Sequence, residues 1–213
     1  MQGRIHLARH AEGLHNLRND ATIPDAPLSE RGFDFAENLG HRFISEYSKS
    51  VGEIVSSPLR RALQTSLTAF HRILDSTQYP KNSGMGVNNG VMLVLDANLQ
   101  EITDLPCNTG SDLNDLTTEF PGLTSAIQKL HGDWHVKTGP RSPLTQSLSK
   151  RKAEILHRLE KTLTDLQNEP MGKDIIVVTH EGVIDLLAPT ADIHMGQWQT
   201  FNLVRENGLL SLK

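Results

Sequence analysis

A single cysteine, Cys107, stands in 213 residues, so no disulfide can form within the chain. That scarcity fits a reducing compartment. No apolar run approaches the ~20 residues of a membrane-spanning helix. The opening, MQGRIHLARH, passes straight into strand and charge without the apolar stretch of a signal peptide. A cytoplasmic protein that neither crosses nor binds a membrane is therefore expected. Internal repeats and low-complexity tracts are also missing. The net charge of -4 supplies no positive field for nucleic acid or an anionic bilayer. Any anion site must therefore be a local concentration of cations. Tryptophan is scarce, and Trp134 and Trp198 read as packing residues.

What is present is an alternation of strand and helix patterns. The run Ile5-His6-Leu7-Ala8 predicts a first strand that ends in Arg9-His10, and residues 17–27 read as a loop. Ser29 is a suitable N-cap for a helix over 30–47, whose Phe33, Ala36, Leu39 and Phe43 recur at helical spacing. Residues 53–57 predict a second strand, and Pro58 opens a helix expected to reach Leu74. After a long loop over 75–90, residues 91–95 form a third strand. Residues 103–143 are mostly polar, with short helical candidates at 112–119 and 122–132. A helix over 149–168 precedes Asp174-Ile175-Ile176-Val177-Val178, which is continuous and β-branched as buried parallel strands are. That strand ends in Thr179-His180, and a helix begins near Val183. Residues 200–204 and 209–212 flank Glu206-Asn207-Gly208 as a terminal hairpin. The pattern predicts a three-layer α/β/α sandwich with a mostly parallel sheet. It is expected to be one domain over 1–213, with an inserted lid over about 103–145.

Three predicted strands end alike, in Arg9-His10, in Ser57-Pro58-Leu59-Arg60-Arg61 and in Thr179-His180. Ligands of open α/β sheets bind outside the carboxyl ends of the strands. Parallel strands would gather two histidines and a second arginine over one point, where guanidinium groups match the oxygens of phosphate or carboxylate. The order RHAEGLHN, APLSERG, SSPLRRALQTS, LQE, VTHEG resembles the histidine phosphatase superfamily, the phosphoglycerate mutase-like branch, over residues 5–187. The wording RHAEG-HN and DLPCNTG is closest to fungal sequences of that branch.

The resemblance implies that His10 is the nucleophile, forming a phosphohistidine. It implies that Arg9, Arg61 and His180 surround the phosphoryl group and that Glu101 is the general acid. Asn16 would contact phosphate or substrate. A charged His180 beside a neutral His10 would require the two histidines to titrate apart. Glu12 and Asp104 are alternative acids. His131 and His135 stand four apart, but no third ligand is near in sequence, so no metal and no cofactor is expected. Cys107 has no catalytic-thiol context.

Two departures bear on the substrate. The family usually has glycine where this chain has Ala11, a methyl that would narrow the pocket floor. Glu181 stands where a glycine commonly follows the second histidine. It either opens a helix, where the macrodipole favours a carboxylate by ~0.3–1 kcal/mol, or faces the cavity and repels a dianion. The expected activity is metal-independent hydrolysis of a small phosphorylated metabolite. Alternatives are phosphoglycerate mutase-type transfer, and a member without phosphatase activity that uses the anion pocket for a carboxylate or as a scaffold.

Overall fold

The computed structural model describes residues 3–139, 142–168 and 172–213. Among these, five strands form one sheet in the order β3-β2-β4-β1-β5. β1 (Ile5–Arg9), β2 (Val51–Ser56), β3 (Leu93–Leu95) and β4 (Asp174–Thr179) run parallel, and β5 (Trp198–Phe201) pairs antiparallel with β1. The pleat sends alternate residues to opposite faces. Ile5, Leu7, Ile175 and Val177 pack on one side, while Ala8, Ile176 and Val178 pack on the other.

Helices cover both faces, which is why β4 is buried throughout and apolar from Ile175 to Val178. α2 (Glu30–Tyr47) and α3 (Arg60–Phe70) lie on the Ile176 face, and α6 (Leu148–Leu166) and α7 (Glu181–Leu187) on the Ile175 face. α2 begins where Ser29 Oγ accepts the Gly32 N–H at 2.9 Å. α2 approaches α3 closely enough that a Cβ on Gly40 would sit 2.0 Å from the Ala69 carbonyl oxygen. Ser147 caps α6 by accepting the Lys150 N–H. The three-layer sandwich follows.

Several boundaries differ from the sequence expectation. A five-residue helix, α1 (Leu14–Arg18), starts before the expected loop. α3 ends at Phe70 because Leu74 is drawn into a parallel bridge with Val91, which also delays β3. The expected helix over 122–132 reduces to a 3₁₀ turn and the single turn α5 (Thr124–Ile127), preceded by α4 (Leu113–Glu119). Gly122 there lies against the Gln78 carbonyl oxygen, only 2.2 Å from where a Cβ would be. The first arm of the terminal hairpin divides. β5 joins the main sheet, and β6 (Leu203–Glu206) pairs with β7 (Leu209–Leu212) through Asn207 and Gly208, both at positive φ. The polar look of residues 103–143 hides core residues, for Leu116, Phe120, Leu123, Ile127 and Trp134 join the cluster under α2 and α3.

Candidate active site

Register brings three strand ends together. Arg9 pairs with Thr179 and Ser56 with Val178, and beyond those pairs the His10 N–H donates to Thr179 O at 3.0 Å. The Ser57 N–H donates to Val178 O at 2.9 Å. His10 and His180 therefore stand side by side, ring centroids 4.9 Å apart, with 4 % and 0 % exposure.

Arg61, in the first turn of α3 and 1 % exposed, joins them. Its Nε donates to His10 Nε2 at 3.1 Å, and one terminal nitrogen reaches His180 Nδ1 at 3.0 Å. The Cys107 carbonyl at 2.6 Å and Asn108 Oδ1 at 2.7 Å hold the rest of the guanidinium. Arg60, its neighbour, instead turns to Glu119.

These contacts settle the protonation states. A guanidinium only donates, so His10 Nε2 and His180 Nδ1 must both be acceptors. His10 then carries its proton on Nδ1, donated to Ala11 O at 2.7 Å, and His180 carries its proton on Nε2, donated to Ser57 Oγ at 2.8 Å. Both rings are neutral. Burial first and Arg61 second push both well below the ordinary imidazole range. Without an anion, desolvation beside a fixed guanidinium disfavours protonation of His180; the charged His180 expected from the resemblance belongs to the phosphoryl-bound state.

Arg9 behaves differently from Arg61. Its two terminal nitrogens donate to Glu181 at 2.9 and 2.7 Å, a bidentate pair at the rim, where the Glu181 side chain is 61 % exposed. Glu181 thus begins α7 and grips a cation of the site at once. The buried Arg9 Nε has no partner.

Glu101 is half-buried, and its Oε1 accepts the Ile102 N–H at 2.7 Å. Gly182 admits it, since a Cβ there would lie 2.5 Å from that oxygen. Its charge reaches Arg61. Glu12 is engaged elsewhere, buried against Ser29 Oγ and Arg31, which hold its carboxyl below the usual range. Asp104 is exposed. Asn16 is exposed too, and its Oδ1 accepts the Gly13 N–H at 3.0 Å; among the described residues no hydrogen bond joins it to His10, Arg61 or His180. Ala11 is fully buried with Leu28 and Ala36, so its methyl packs in a small apolar cluster rather than narrowing the pocket floor.

Four further residues build the site. Ser57 orients His180 and Asn108 orients Arg61; the SSPLRR motif signalled the first and DLPCNTG the second, without a role for either. His15 faces His10 with its ring centroid 6.3 Å away, and its buried Nδ1 lacks a partner. Burial, then Arg61, lowers His15 to about 4. Asp25 accepts the Arg60 N–H at 3.0 Å and the Ser111 N–H at 2.9 Å, tying the start of α3 to the loop at Ser111. It does so at φ 38°, a conformation few side chains adopt without support.

His135 lies in a turn and His131 just before it, outside any helix, and no cluster of three His, Cys, Asp or Glu side chains suited to a metal occurs among the described residues. Cys107 is buried and contributes its carbonyl, not its thiol. Trp134 is buried against Gly110, and Trp198 packs edge-on to Phe43 at 5.3 Å. No helix among the described residues is long and apolar enough to cross a membrane.

Known proteins resemble this chain in sequence and in fold. The family model of the histidine phosphatase superfamily (branch 1) matches residues 5–77 and 93–212. A phosphoglycerate mutase-like protein of Arabidopsis thaliana is 24 % identical over 202 residues, covering 84 % of this chain and 71 % of that protein. Two solved structures show the same fold. A mycobacterial glucosyl-3-phosphoglycerate phosphatase complexed with VO3 has a TM-score of 0.57 at 16 % identity, covering 99 % of this chain and 96 % of the other. A phosphoserine phosphatase of Entamoeba histolytica in complex with 3-phosphoglyceric acid has a TM-score of 0.52 at 18 % identity, covering 99 % and 94 %. With the matched residues spanning the strands and helices that carry His10, Arg61 and His180, the chain belongs to the histidine phosphatase superfamily.

Proposed function

We propose that the protein is a metal-independent phosphomonoesterase that acts on a small phosphorylated metabolite through a phosphohistidine on His10. The observation that carries this reading is the tautomer of His10. Its Nδ1 proton is committed to Ala11 O at 2.7 Å, which leaves the Nε2 lone pair facing Arg61 Nε at 3.1 Å. A nucleophilic nitrogen beside a permanent cation is suited to an electron-rich phosphoryl group.

In the proposed reaction a phosphoryl oxygen displaces the Arg61–His10 contact and accepts from Arg61, Arg9 Nε and His15. The His10 Nε2 lone pair attacks phosphorus in line as the bond to the leaving oxygen breaks. Glu101, as the carboxylic acid, gives its proton to that oxygen. It then takes a proton from water, whose oxygen attacks phosphorus and breaks the P–Nε2 bond, releasing inorganic phosphate and neutral His10. The arriving dianion raises the pKa of His180. Preorganised donors of this kind are usually the largest part of the rate enhancement.

The test is hydrolysis of p-nitrophenyl phosphate in the presence of a chelator. Turnover by the wild type and its loss in His10→Ala are expected, with labelled phosphate trapped on histidine after an alkaline quench. A folded wild type that turns over none of a broad phosphoester panel refutes the proposal. Transfer of the label to phosphoglycerate acceptors rather than water would identify a mutase.

A further inference from the structure

One arginine is buried where α6 otherwise hides only apolar groups. Arg151 stands four residues before Ile155 and eight before Leu159, on the buried stripe completed by Leu156 and Leu163, and it is 1 % exposed. An arginine is almost never buried so fully unless it is paired. Among the described residues no carboxylate pairs with it, and Asp96, whose charge reaches it, is held by Arg158 at 2.8 Å. Burial pushes the guanidinium down to about 10 against the pull of the Glu101 charge, so it stays a cation at neutral pH.

Its donors go to the main chain instead. Arg151 Nε donates to Asn98 O at 2.9 Å, and a terminal nitrogen donates to Gln100 O. The carbonyl between them, Leu99 O, accepts from Thr179 Oγ1 at 2.8 Å, and Thr179 directly precedes His180. Three consecutive carbonyls at the end of the 3₁₀ turn Ala97–Leu99 are thus held by side chains, two by α6 and one by the end of β4. The Gln100 side chain is fixed as well, accepting from Lys137 and donating to Trp134 O at 3.3 Å.

The residue that leaves this clamp is Glu101, and one of its oxygens is already committed. Oε1 accepts the Ile102 N–H at 2.7 Å, so the carboxylic acid carries its proton on Oε2. A general acid works only within hydrogen-bond reach of the atom it protonates, which makes the placing of its main chain part of the chemistry. The rigid fork of a guanidinium fixes two acceptors at once, where an ammonium would hold one. We propose that Arg151 is a positioning residue for the proton transfer: through Asn98 O and Gln100 O it sets the main chain from which Glu101 Oε2 reaches the leaving oxygen. This deepens the hydrolase reading and rests on it for the role of Glu101.

Arg151 should then matter in proportion to how much the leaving group needs a proton. p-Nitrophenolate departs as a stable anion, whereas a benzyl alkoxide does not. With kcat/KM reading the attack by His10, Arg151→Met should lose about 10²-fold on benzyl phosphate and less than about threefold on p-nitrophenyl phosphate. Glu101→Gln should show the same selectivity. Adding Arg151→Met to Glu101→Gln should cost less than about threefold more on benzyl phosphate, because Arg151 acts only through Glu101. If Arg151→Met does not fold, Arg151→Lys keeps the charge and loses the fork, and a selective loss of about tenfold on benzyl phosphate is expected.

An Arg151 variant slowed alike on both substrates, or slowed on neither, overturns the proposal. So does a loss that persists in full in the Glu101→Gln background, because that marks a merely structural arginine. A wild type that hydrolyses neither substrate refutes the hydrolase reading and the proposal with it, whereas an active wild type lets the proposal fail alone.

Discussion

Lowering the pH from about 7.5 to about 5.5 without any added anion sets the pocket histidines against the fold. His10 and His180 have folded pKa values well below the imidazole value of about 6.5 they regain on unfolding. The unfolded chain then binds protons that the folded chain refuses, so their contribution is complete above about pH 6.5 and declines as the pH falls below it. One unit below that value, each refused proton costs about 1.4 kcal/mol. Two histidines that stay neutral in the fold therefore remove up to about 2.7 kcal/mol. His15, lowered to about 4 but only half-buried, adds a smaller, solvent-screened amount in the same sense. Asp25 and Glu53, raised by burial, bind protons earlier in the folded state and oppose the loss, so the figure is an upper bound. Urea denaturation at the two pH values measures it. His10→Gln should lose about half of the dependence, and saturating inorganic phosphate should flatten it by favouring the protonated imidazoles. A wild-type change smaller than about 0.5 kcal/mol, or one that phosphate leaves untouched, would refute the neutral pair.

Arg61→Met should lower kcat by roughly 10²–10³-fold, the usual cost of one preorganised donor. It should also raise the pKa values of His10, His15 and His180 in an NMR titration, because the Arg61 charge depresses all three. Unmoved histidines would show that burial alone holds them down. Glu181→Gln frees Arg9 from an exposed bidentate pair, and phosphate inhibition should tighten by roughly two- to fivefold. Weaker inhibition would mean that Glu181 positions Arg9 instead of competing for it. Gly40→Ala forces a Cβ to within 2.0 Å of the Ala69 carbonyl oxygen, and a loss of about 1–3 kcal/mol is expected in a urea melt; an unchanged midpoint would show that α2 and α3 move apart freely.

Local pattern was enough wherever a signal is repeated along the chain. The β-branched run at 174–178 and the apolar spacing of α2 and α6 announced the layers, because burial on one stripe or two faces must be written in adjacent residues. The strand-end motifs likewise announced His10, Arg61 and His180, since a parallel register leaves their common position little freedom. Boundaries governed by distant partners were illegible. α3 stops for Val91, and the expected hairpin arm divides because β1 offers an open edge to Trp198–Phe201.

The sequence by itself determined which chemical groups stand at the strand tips, because each is fixed by a short motif and a turn. Only the tertiary structure decided their states. The depressed titration of His180 comes from its burial beside a guanidinium 119 positions away in the chain, and the occupancy of Arg9 from Glu181. Those are properties of distance and dielectric, and neither exists until the chain has closed around them.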